Sequence, residues 1–278
     1  MTKRHLKLKW KIIFGILIFI LLLFICLRFI GTKGLIIKEY KVVNKNIDTS
    51  FYGFKIVHFS DLHYGMSVDE KVLSNLVDKI NKTKPDIVVF TGDLIDKKKN
   101  YTESDTKLLT KYLSKIKSSY GNYYVNGDDD ENINSFDSIM VNSNFKSLNN
   151  NYEVITSEKN KKILISGIST NANIKIFNDI FKDDDYSYKI IMMHYPDNYD
   201  LISKYNFDLV LSGHSHNGQV RLPYIGALVK MNNSKKYYDP YYKINDTDMY
   251  ISGGIGNSKV NLRLFNTPSF NLYRLVDK

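Results

Sequence analysis

Five short apolar runs of this chain each end in acidic or histidine residues. The endings are Ser60-Asp61-Leu62-His63, Thr91-Gly92-Asp93, Asn126-Gly127-Asp128-Asp129-Asp130, His194 and Ser212-Gly213-His214-Ser215-His216. Carboxylates and imidazoles are ligands that suit Mn, Fe or Zn, and no thiolate stands among them. The endings therefore predict a metal site that is built from nitrogen and oxygen ligands.

Such a ligand set suits the hydrolysis of phosphoesters. A phosphoester is anionic and resists attack by water, but two divalent cations ~3.5–4 Å apart can bind its oxygens, neutralise charge and activate a water. One carboxylate must then bridge the cations, while imidazoles and further oxygens complete each shell. We therefore expect two divalent metal ions, whose identity as Mn, Zn or Fe stays open.

The motifs differ in how specific they are. An Asp-x-His triplet is commonly a surface accident, and Gly-Asp after a strand is often an ordinary turn. Gly213-His214-Ser215-His216 is more specific because histidine is scarce, and four of the six histidines fall in the motifs. The other two have simpler interpretations, since His58 lies inside an apolar run, where we predict that it packs, and His5 belongs to a basic tail.

The apolar runs before the motifs are predicted to be buried strands. They are Lys55–Phe59, Asp86–Phe90, Asn122–Val125, Lys189–Met193 and Leu209–Leu211. Two apolar faces at helical spacing lie between them, one from Val72 to Ile80 after a capping-box pattern at Ser67 and Glu70, and one from Leu108 to Ile116. Alternation of strands and helices predicts an α/β domain, in which the site lies beyond the carboxyl ends of the strands.

Three further segments lack such patterns. Segments 128–151 and 231–248 are polar and are predicted to be long surface loops. Segment 31–50 is predicted to be a connector that contains one strand-like piece, Glu39–Val43.

An apolar run from Ile12 to Ile30 precedes the connector. Its nineteen residues would span roughly 28 Å as a helix, close to the ~30 Å hydrocarbon core of a bilayer. A cleaved signal peptide and an uncleaved anchor are the two alternatives. The run is long for a signal peptide and no small-x-small cleavage site follows it, so we favour the anchor.

Basic residues before the run predict that the N-terminus stays in the cytoplasm. We therefore expect a single-pass protein of the cell membrane with its catalytic domain outside the cytoplasm. The predicted divisions are a cytoplasmic basic tail (1–11), a transmembrane anchor (12–30), the connector (31–50) and the catalytic domain (51–278).

The chain carries a net charge of +10. This charge either favours anionic partners such as phospholipid head groups or simply gives a soluble basic surface, and both readings stay open. No basic stripe interleaved with aromatic residues occurs, so nucleic-acid binding is not supported. Cys26 is the single cysteine, which excludes an intrachain disulfide and a Cys-based zinc site.

A family resemblance rests on the motifs taken in order. The series Asp61-x-His63, Gly92-Asp93, Gly127-Asp128-Asp129-Asp130, His194 and Gly213-His214-x-His216 resembles the calcineurin-like metallophosphoesterase superfamily. The resemblance covers roughly 51–275. Ser212–Gln219 and the closing Arg263-Leu264-Phe265-Asn266-x-Pro268 resemble its membrane-associated bacterial branch, whose members act on cell-envelope phosphodiesters or on UDP-2,3-diacylglucosamine.

The resemblance implies a two-sheet β-sandwich flanked by helices rather than a single doubly wound sheet. It also implies which side chains share each metal ion. Asp61, His63 and His216 would hold the first ion, Asp93 would bridge, and His194 and His214 would hold the second with Asp128 as its oxygen ligand.

The third motif departs from the family pattern Gly-Asn-His-Asp. Asp128 replaces the asparagine ligand, and Asp129 replaces the histidine that would clamp the phosphate or protonate the leaving group. Loss of a general acid typically lowers the rate ~10²–10⁴-fold, although a leaving group of low basicity needs less protonation. The candidate catalytic residues are Asp93, as the bridge, and Asp129, at the position of that histidine.

Together these features predict a metal-dependent phosphodiesterase or pyrophosphatase that is tethered to the membrane. The tether favours a lipid-linked or wall-linked phosphoester as substrate. The alternative is a metal-binding pseudo-enzyme that serves as a ligand-binding or scaffold protein, because its third motif lacks the histidine.

Overall fold

Two β-sheets form the centre of the domain that follows the apolar N-terminal run. The computed structural model describes residues 3–181, 185–258 and 260–276. In chain order its strands are β1 (Ile36–Val43), β2 (Lys55–Phe59), β3 (Ile87–Phe90), β4 (Gly121–Tyr124), β5 (Phe145–Ser147), β6 (Asn151–Thr156), β7 (Lys162–Ile168), β8 (Tyr188–Met193), β9 (Leu209–Ser212), β10 (Arg221–Leu222), β11 (Gly226–Ala227), β12 (Tyr241–Ile244), β13 (Thr247–Ile251) and β14 (Ser269–Val276). The helices are α1 (Lys3–Ile25), α2 (Glu70–Thr83), α3 (Glu103–Leu113), α4 (Phe136–Asn142), α5 (Ile176–Ile180) and α6 (Tyr199–Ile202).

Each large sheet has a parallel centre. The first sheet has the strand order β1-β14-β2-β3-β4-β5 and the second has the order β12-β13-β9-β8-β7-β6. Strands β2 to β5 run parallel to one another, as do β7, β8, β9 and β13. All five strands that were predicted before the motifs are present in these parallel groups. Their carboxyl ends, and hence the motifs, therefore lie at one edge of each sheet.

A core of buried apolar side chains lies between the two sheets. It contains apolar side chains from both of them, including Ile56, Val89, Ile165, Met192 and Tyr250. Helices α2, α3 and α4 cover the outer face of the first sheet, and α5 and α6 cover that of the second. The two-sheet sandwich flanked by helices is therefore confirmed.

The predicted N-terminus of α2 was wrong, although its apolar face was right. Asp69, and not Ser67, is the N-cap, and its carboxylate accepts a hydrogen bond from the backbone N–H of Val72 at 2.9 Å. Aspartate caps a helix as well as serine does. The Ser67 hydroxyl instead accepts a hydrogen bond from the backbone N–H of Asn257.

The three segments without clear patterns contain regular structure. Segment 128–151 holds α4 and β5, and segment 231–248 holds β12 and the start of β13, so neither is the long loop that we predicted. The predicted connector, 31–50, contributes β1, which pairs with β14 from Ile36 to Val43. Most side chains of this edge strand are not buried, which explains its weak apolar pattern.

The N-terminal helix projects from the domain. Helix α1 continues into a π-helical turn, Cys26–Ile30, and the side chains described before that turn are exposed. The stretch Lys7–Ile30 is long and apolar enough to cross a membrane, a property that membrane spans share with signal sequences. At its end, the carbonyl of Leu27 accepts a hydrogen bond of 3.1 Å from the backbone N–H of Arg263.

Candidate metal centre

All seven predicted metal ligands lie together where the carboxyl ends of the parallel strands from both sheets meet. Each ligand follows the strand that was expected to position it. The pairs are β2 with Asp61 and His63, β3 with Asp93, β4 with Asp128, β8 with His194, and β9 with His214 and His216.

The turns after these strands are strained. Five ligands have positive φ angles, namely Asp61 (49°), His63 (42°), Asp93 (63°), His214 (64°) and His216 (47°). Non-glycine residues in this region are destabilised by about 1–3 kcal/mol each, and they persist where the surrounding structure holds them at functional sites. The site is therefore formed at the expense of local backbone stability.

The glycines of the Gly-Asp motifs permit a close approach of two turns. A Cβ atom on Gly127 would lie only 2.1 Å from Oδ1 of Asp93, and one on Gly92 would lie 2.3 Å from the backbone nitrogen of Gly127. Both positions therefore require glycine, because any side chain would push the β3 and β4 turns apart.

Three ligands form an inner cluster of Asp61, His63 and His216. Nε2 of His63 lies 3.1 Å from Nε2 of His216, which lies 3.4 Å from Oδ1 of Asp61. All three side chains are buried. The inner cluster therefore contains two imidazole nitrogens and one carboxylate with almost no access to solvent.

Four ligands form an outer cluster of Asp93, Asp128, His194 and His214. Oδ1 of Asp128 lies 3.1 Å from Nε2 of His194 and 3.3 Å from Nδ1 of His214. The side chains of Asp128 and His214 are 32% and 11% exposed, so this cluster opens to solvent.

Asp93 lies between the clusters. Its Oδ2 atom is 3.5 Å from Nε2 of His63 in the inner cluster and 3.5 Å from Nε2 of His194 in the outer cluster. One carboxylate oxygen is thus equally distant from a histidine of each cluster.

Neighbouring groups orient the imidazoles. Nδ1 of His194 is 2.7 Å from the carbonyl oxygen of Thr91, and Nε2 of His214 is 2.8 Å from that of Asn232. A carbonyl can only accept, so each of these nitrogens donates, and in the neutral ring the other nitrogen presents a lone pair to the cluster. Hydrogen bonds of this kind are typical around metal-binding histidines.

The donor atoms fit divalent cations. Within each cluster the ligand atoms lie within 4.8 Å of one another. The facing lone pairs of His63 and His216 would repel at 3.1 Å unless a proton or a cation lies between them. Imidazole nitrogens with carboxylate oxygens and no thiolate suit Zn, Mn or Fe.

Burial and charge oppose each other at the histidines. Burial lowers the pKa of an imidazole, yet the carboxylates around His63 and His194 raise their pKa values to about 9 and about 10. Burial raises the pKa of Asp93 although both of those imidazoles oppose it. Burial and the charge of His63 lower the pKa of His216 well below its ordinary value. Cations bound here would therefore compete with protons.

The three aspartates of the third motif point in different directions. Asp128 faces the outer cluster, whereas Asp129 is buried with its Oδ2 3.4 Å from Nδ1 of His63. Asp130 accepts hydrogen bonds of 2.8 Å each from the backbone N–H groups of Asp93, Leu94 and Gly127. Asp130 therefore ties the β3 and β4 turns together and has no part in either cluster.

Lys97 is a site residue that the sequence analysis missed. Its Nζ atom lies 2.8 Å from Oδ1 of Asp129, and its side chain is 55% exposed. Both residues line a cavity of about 270 Å³ that also contacts Asp93, Asp128 and His214. Lys97 is the first of three consecutive lysines and looked like ordinary surface charge, but its position four residues after Asp93 was a usable signal.

The closing segment supports the inner cluster from behind. Arg263 is fully buried and donates to the backbone carbonyls of Gly253, Gly254 and Gly256, while the Asn266 amide donates to the carbonyl of His216. A Cβ atom on Gly254 would lie 2.8 Å from Nδ1 of His216. The guanidinium therefore holds a loop that packs directly on this histidine.

The fold and this site define a class of enzyme. The family model for calcineurin-like phosphoesterase matches residues 54–218, and the chain belongs to that family. It is a metal-dependent hydrolase of phosphoesters, and the resemblance found in the motifs is confirmed.

Three relatives span most of this chain. The uncharacterized metallophosphoesterase YkuE of Bacillus subtilis is 28% identical over 242 residues, which cover 85% of this chain and 84% of YkuE. The uncharacterized metallophosphoesterase Cj0846 of Campylobacter jejuni is 30% identical over 254 residues, which cover 86% of this chain and 64% of Cj0846. The phosphodiesterase YaeI of Escherichia coli is 23% identical over 241 residues, which cover 80% of this chain and 82% of YaeI.

Proposed function

We propose that this chain is a membrane-anchored phosphodiesterase or pyrophosphatase with a dinuclear metal site. The observation that carries the proposal is the position of Asp93, whose Oδ2 atom lies 3.5 Å from a histidine of each cluster. A carboxylate placed between two sets of ligands is what a bridged pair of cations needs. The relative YaeI, which is named a phosphodiesterase, supports the diester as the bond that is cleaved.

The inner and outer clusters would each hold one ion. Bound there, two ions of Mn, Zn or Fe would bind the phosphate oxygens, neutralise their charge and lower the pKa of a water. Two of the histidines, His194 and His214, have their orientation set in advance by the carbonyls of Thr91 and Asn232, and the carboxylate of Asp129 faces His63 at 3.4 Å.

We further propose that Lys97 supplies the cationic group that the third motif lacks. Its ammonium is exposed to the cavity, where the negative charge of a phosphate would meet it. Asp129 holds Lys97 with one oxygen and faces His63 with the other, so it positions these two groups. Asp129 keeps its predicted place beside the cavity, and this role adds Lys97 to it.

The proposed anchor favours a substrate at the cell envelope. With Lys7–Ile30 in the membrane and the basic tail in the cytoplasm, the domain would lie on the outer surface, as the sequence predicted. A lipid-linked or wall-linked phosphoester would then be the substrate within reach of the cavity.

Hydrolysis by metal-stripped and reloaded protein tests the catalytic proposal. Full-length protein in detergent would be stripped by a chelator, reloaded with Mn, Zn or Fe, and assayed with bis(p-nitrophenyl) phosphate and p-nitrophenyl phosphate. We expect metal-dependent cleavage of the diester and two ions per chain. Two bound ions without cleavage of either compound would favour the pseudo-enzyme alternative, and one ion or none would contradict the dinuclear site.

Cysteine labelling tests the topology, because Cys26 is the only native thiol. In a Cys26→Ala background, Val141→Cys places a thiol on the exposed face of α4, and Lys3→Cys places one before the apolar stretch. A membrane-impermeant maleimide should label position 141 in intact cells and position 3 only after lysis. The reverse pattern would contradict the proposed orientation.

A further inference from the structure

A set of exposed apolar side chains surrounds the β10–β11 hairpin. Tyr224 and Ile225 at its tip are 109% and 71% exposed, and Phe265 beside it is 70% exposed. Leu228, Val229 and Val260 are exposed as well. We name the six residues the apolar rim: Tyr224, Ile225, Leu228, Val229, Val260 and Phe265. Tyr224, Ile225 and Phe265 line one surface depression, and exposed apolar side chains that share a patch mark an interaction surface.

Backbone hydrogen bonds connect the apolar rim to the end of the N-terminal helix. The N–H of Arg263 donates to the carbonyl of Leu27, and the N–H of Arg221 donates to the carbonyl of Leu264 at 3.0 Å. Gly31 also lies against Arg263, because a Cβ atom there would be 2.0 Å from the Arg263 carbonyl oxygen. The segment before Phe265 and the start of the hairpin are therefore held beside the last turn of the helix.

This connection determines the depth of the rim relative to a membrane. The apolar stretch ends at Ile30, so Leu27 lies roughly 4–5 Å along the helix axis from its end. Because Arg263 is bonded to Leu27, the segment that carries Phe265 lies at the level where the stretch would leave the bilayer. Apolar and tyrosine side chains are stable at that level, because the membrane–water interface offers hydrocarbon on one side and water on the other.

Arg221 and Asp239 beside the rim pair with each other at 2.6 Å, and two nearby lysines add positive charge, the sign that an anionic bilayer surface favours. Lys33 follows the end of the apolar stretch, and Lys230 follows Val229 of the rim, and both residues are exposed. Each lysine near an anionic surface adds attraction. A second protein would need complementary acidic groups, whereas an anionic bilayer offers both apolar chains and negative charge in one surface.

The rim also borders the candidate metal centre. The side chain of Gln219 accepts a hydrogen bond from the backbone N–H of Ser258, which lines the cavity, and donates one to the carbonyl of Val260, which belongs to the rim. Met231 of the cavity wall follows Val229 of the rim by two residues. The cavity and the rim thus share one edge.

We propose that the apolar rim inserts into the interfacial region of the bilayer and holds the metal centre against the membrane surface. The proposal rests on the membrane anchor of the proposed function. Without a second contact, the helix and the domain could tilt together in the bilayer, whereas a contact at the rim restricts that tilt. The occupant of this surface is therefore lipid, and the cavity beside it receives phosphoesters at the level of the head groups.

Fluorescence quenching by brominated lipid tests this docking. The chain contains one tryptophan, Trp10, so a Trp10→Phe background allows single reporters at Ile225→Trp and Phe265→Trp. Val141→Trp is the matched control, because Val141 is an exposed apolar residue on α4. Helix α4 packs beside β5, one edge strand of the first sheet, whereas β1, which follows the N-terminal helix, is the other edge strand. Each full-length protein would be reconstituted into vesicles of phosphatidylethanolamine with a minority of phosphatidylglycerol, brominated near the glycerol end of the acyl chains.

We expect fluorescence at positions 225 and 265 to fall at least about twofold in brominated vesicles, while position 141 stays unchanged, since only side chains at the interface meet the bromines. Unquenched tryptophan at both rim positions would overturn the docking, as would equal quenching at position 141. Trp10 of the natural chain reports insertion of the helix. If it too were unquenched, the anchor would fail together with the docking, whereas hydrolysis of bis(p-nitrophenyl) phosphate reports the metal centre separately.

Discussion

The inner and outer clusters are made from the same residue types but differ in their surroundings. The inner cluster of Asp61, His63 and His216 is buried, and the loop held by Arg263 packs on it. The outer cluster opens to the cavity through Asp128 and His214. Burial of ligands slows exchange of an ion with solvent, so under the proposed dinuclear site we expect the inner ion to be retained and the outer ion to exchange.

The two clusters also differ in what orients their histidines. Neutral backbone carbonyls hold His194 and His214 of the outer cluster, whereas the carboxylate of Asp129 faces His63 of the inner cluster. A carboxylate partner makes an imidazole a stronger ligand than a carbonyl does. Both differences favour tighter binding of a cation by the inner cluster than by the outer cluster.

Removing the shared carboxylate of Asp93 should weaken ion binding in both clusters. Asp93→Asn leaves a neutral amide between the clusters, which cannot neutralise two cations. We expect kcat/KM for a diester to fall at least ~10³-fold, as when a major electrostatic contact is lost, and the metal content to fall below two ions per chain. Asp78→Asn on the exposed side of α2 is the control. An unchanged content of two ions would show that Asp93 does not bridge.

Removing one ligand from each cluster in turn should show that the inner cluster binds its ion more tightly than the outer cluster does. His214→Ala should leave one ion per chain after gel filtration, whereas His216→Ala should lose the inner ion and weaken the outer one through Asp93. Each change should lower kcat/KM by roughly 10²–10³-fold, so elemental analysis is what separates them. His5→Ala is the control, since His5 belongs to the basic tail and lies outside both clusters. Equal metal loss in the two variants would contradict the asymmetry.

Neutralising Asp129 should weaken the inner cluster alone. Asp129→Asn removes the charge that faces His63, and loss of such a partner typically lowers metal affinity ~10–100-fold. Competition with a fluorescent chelator would measure the affinity of each ion. Asp105→Asn is the control, because Asp105 also pairs with a lysine, Lys99, away from the clusters. A loss confined to the outer ion would show that Asp129 acts elsewhere.

Removing Lys97 should change substrate binding without changing either cluster. Lys97→Met deletes the ammonium in the cavity and keeps the length of the side chain. We expect KM for a diester to rise about tenfold, the value of one charge-assisted contact, with two ions still bound. Lys107→Met, at a 74% exposed lysine of α3, should leave KM unaltered. If Lys97→Met instead lowered the metal content, its role would be to hold Asp129 in place.

Much of the fold could be predicted because the parallel strands at the centre of each sheet are buried on both faces. Such strands appear as short apolar runs, and β2, β3, β4, β8 and β9 were found in this way. Of the edge strands, β1 was found in part and β5, β6 and β12 were missed, because their apolar runs are broken. The inner strands β7, β13 and β14 are buried but were missed as well, since Ser166, Asp248 and Asn271 interrupt their apolar runs. Helix α4 was missed because the residues around it in the sequence are polar, although its Phe136 and Met140 side chains are buried in the core.

The sequence by itself determined which side chains could bind metal, because residue type and position at a strand end are local properties. Only the tertiary structure decided which partner each of those side chains meets. Asp128, Asp129 and Asp130 are consecutive and chemically identical, yet one faces the outer cluster, one faces Lys97 and His63, and one binds backbone amides. Successive residues of a turn point in different directions, so each partner depends on which strand, lysine or loop the fold brings to that side.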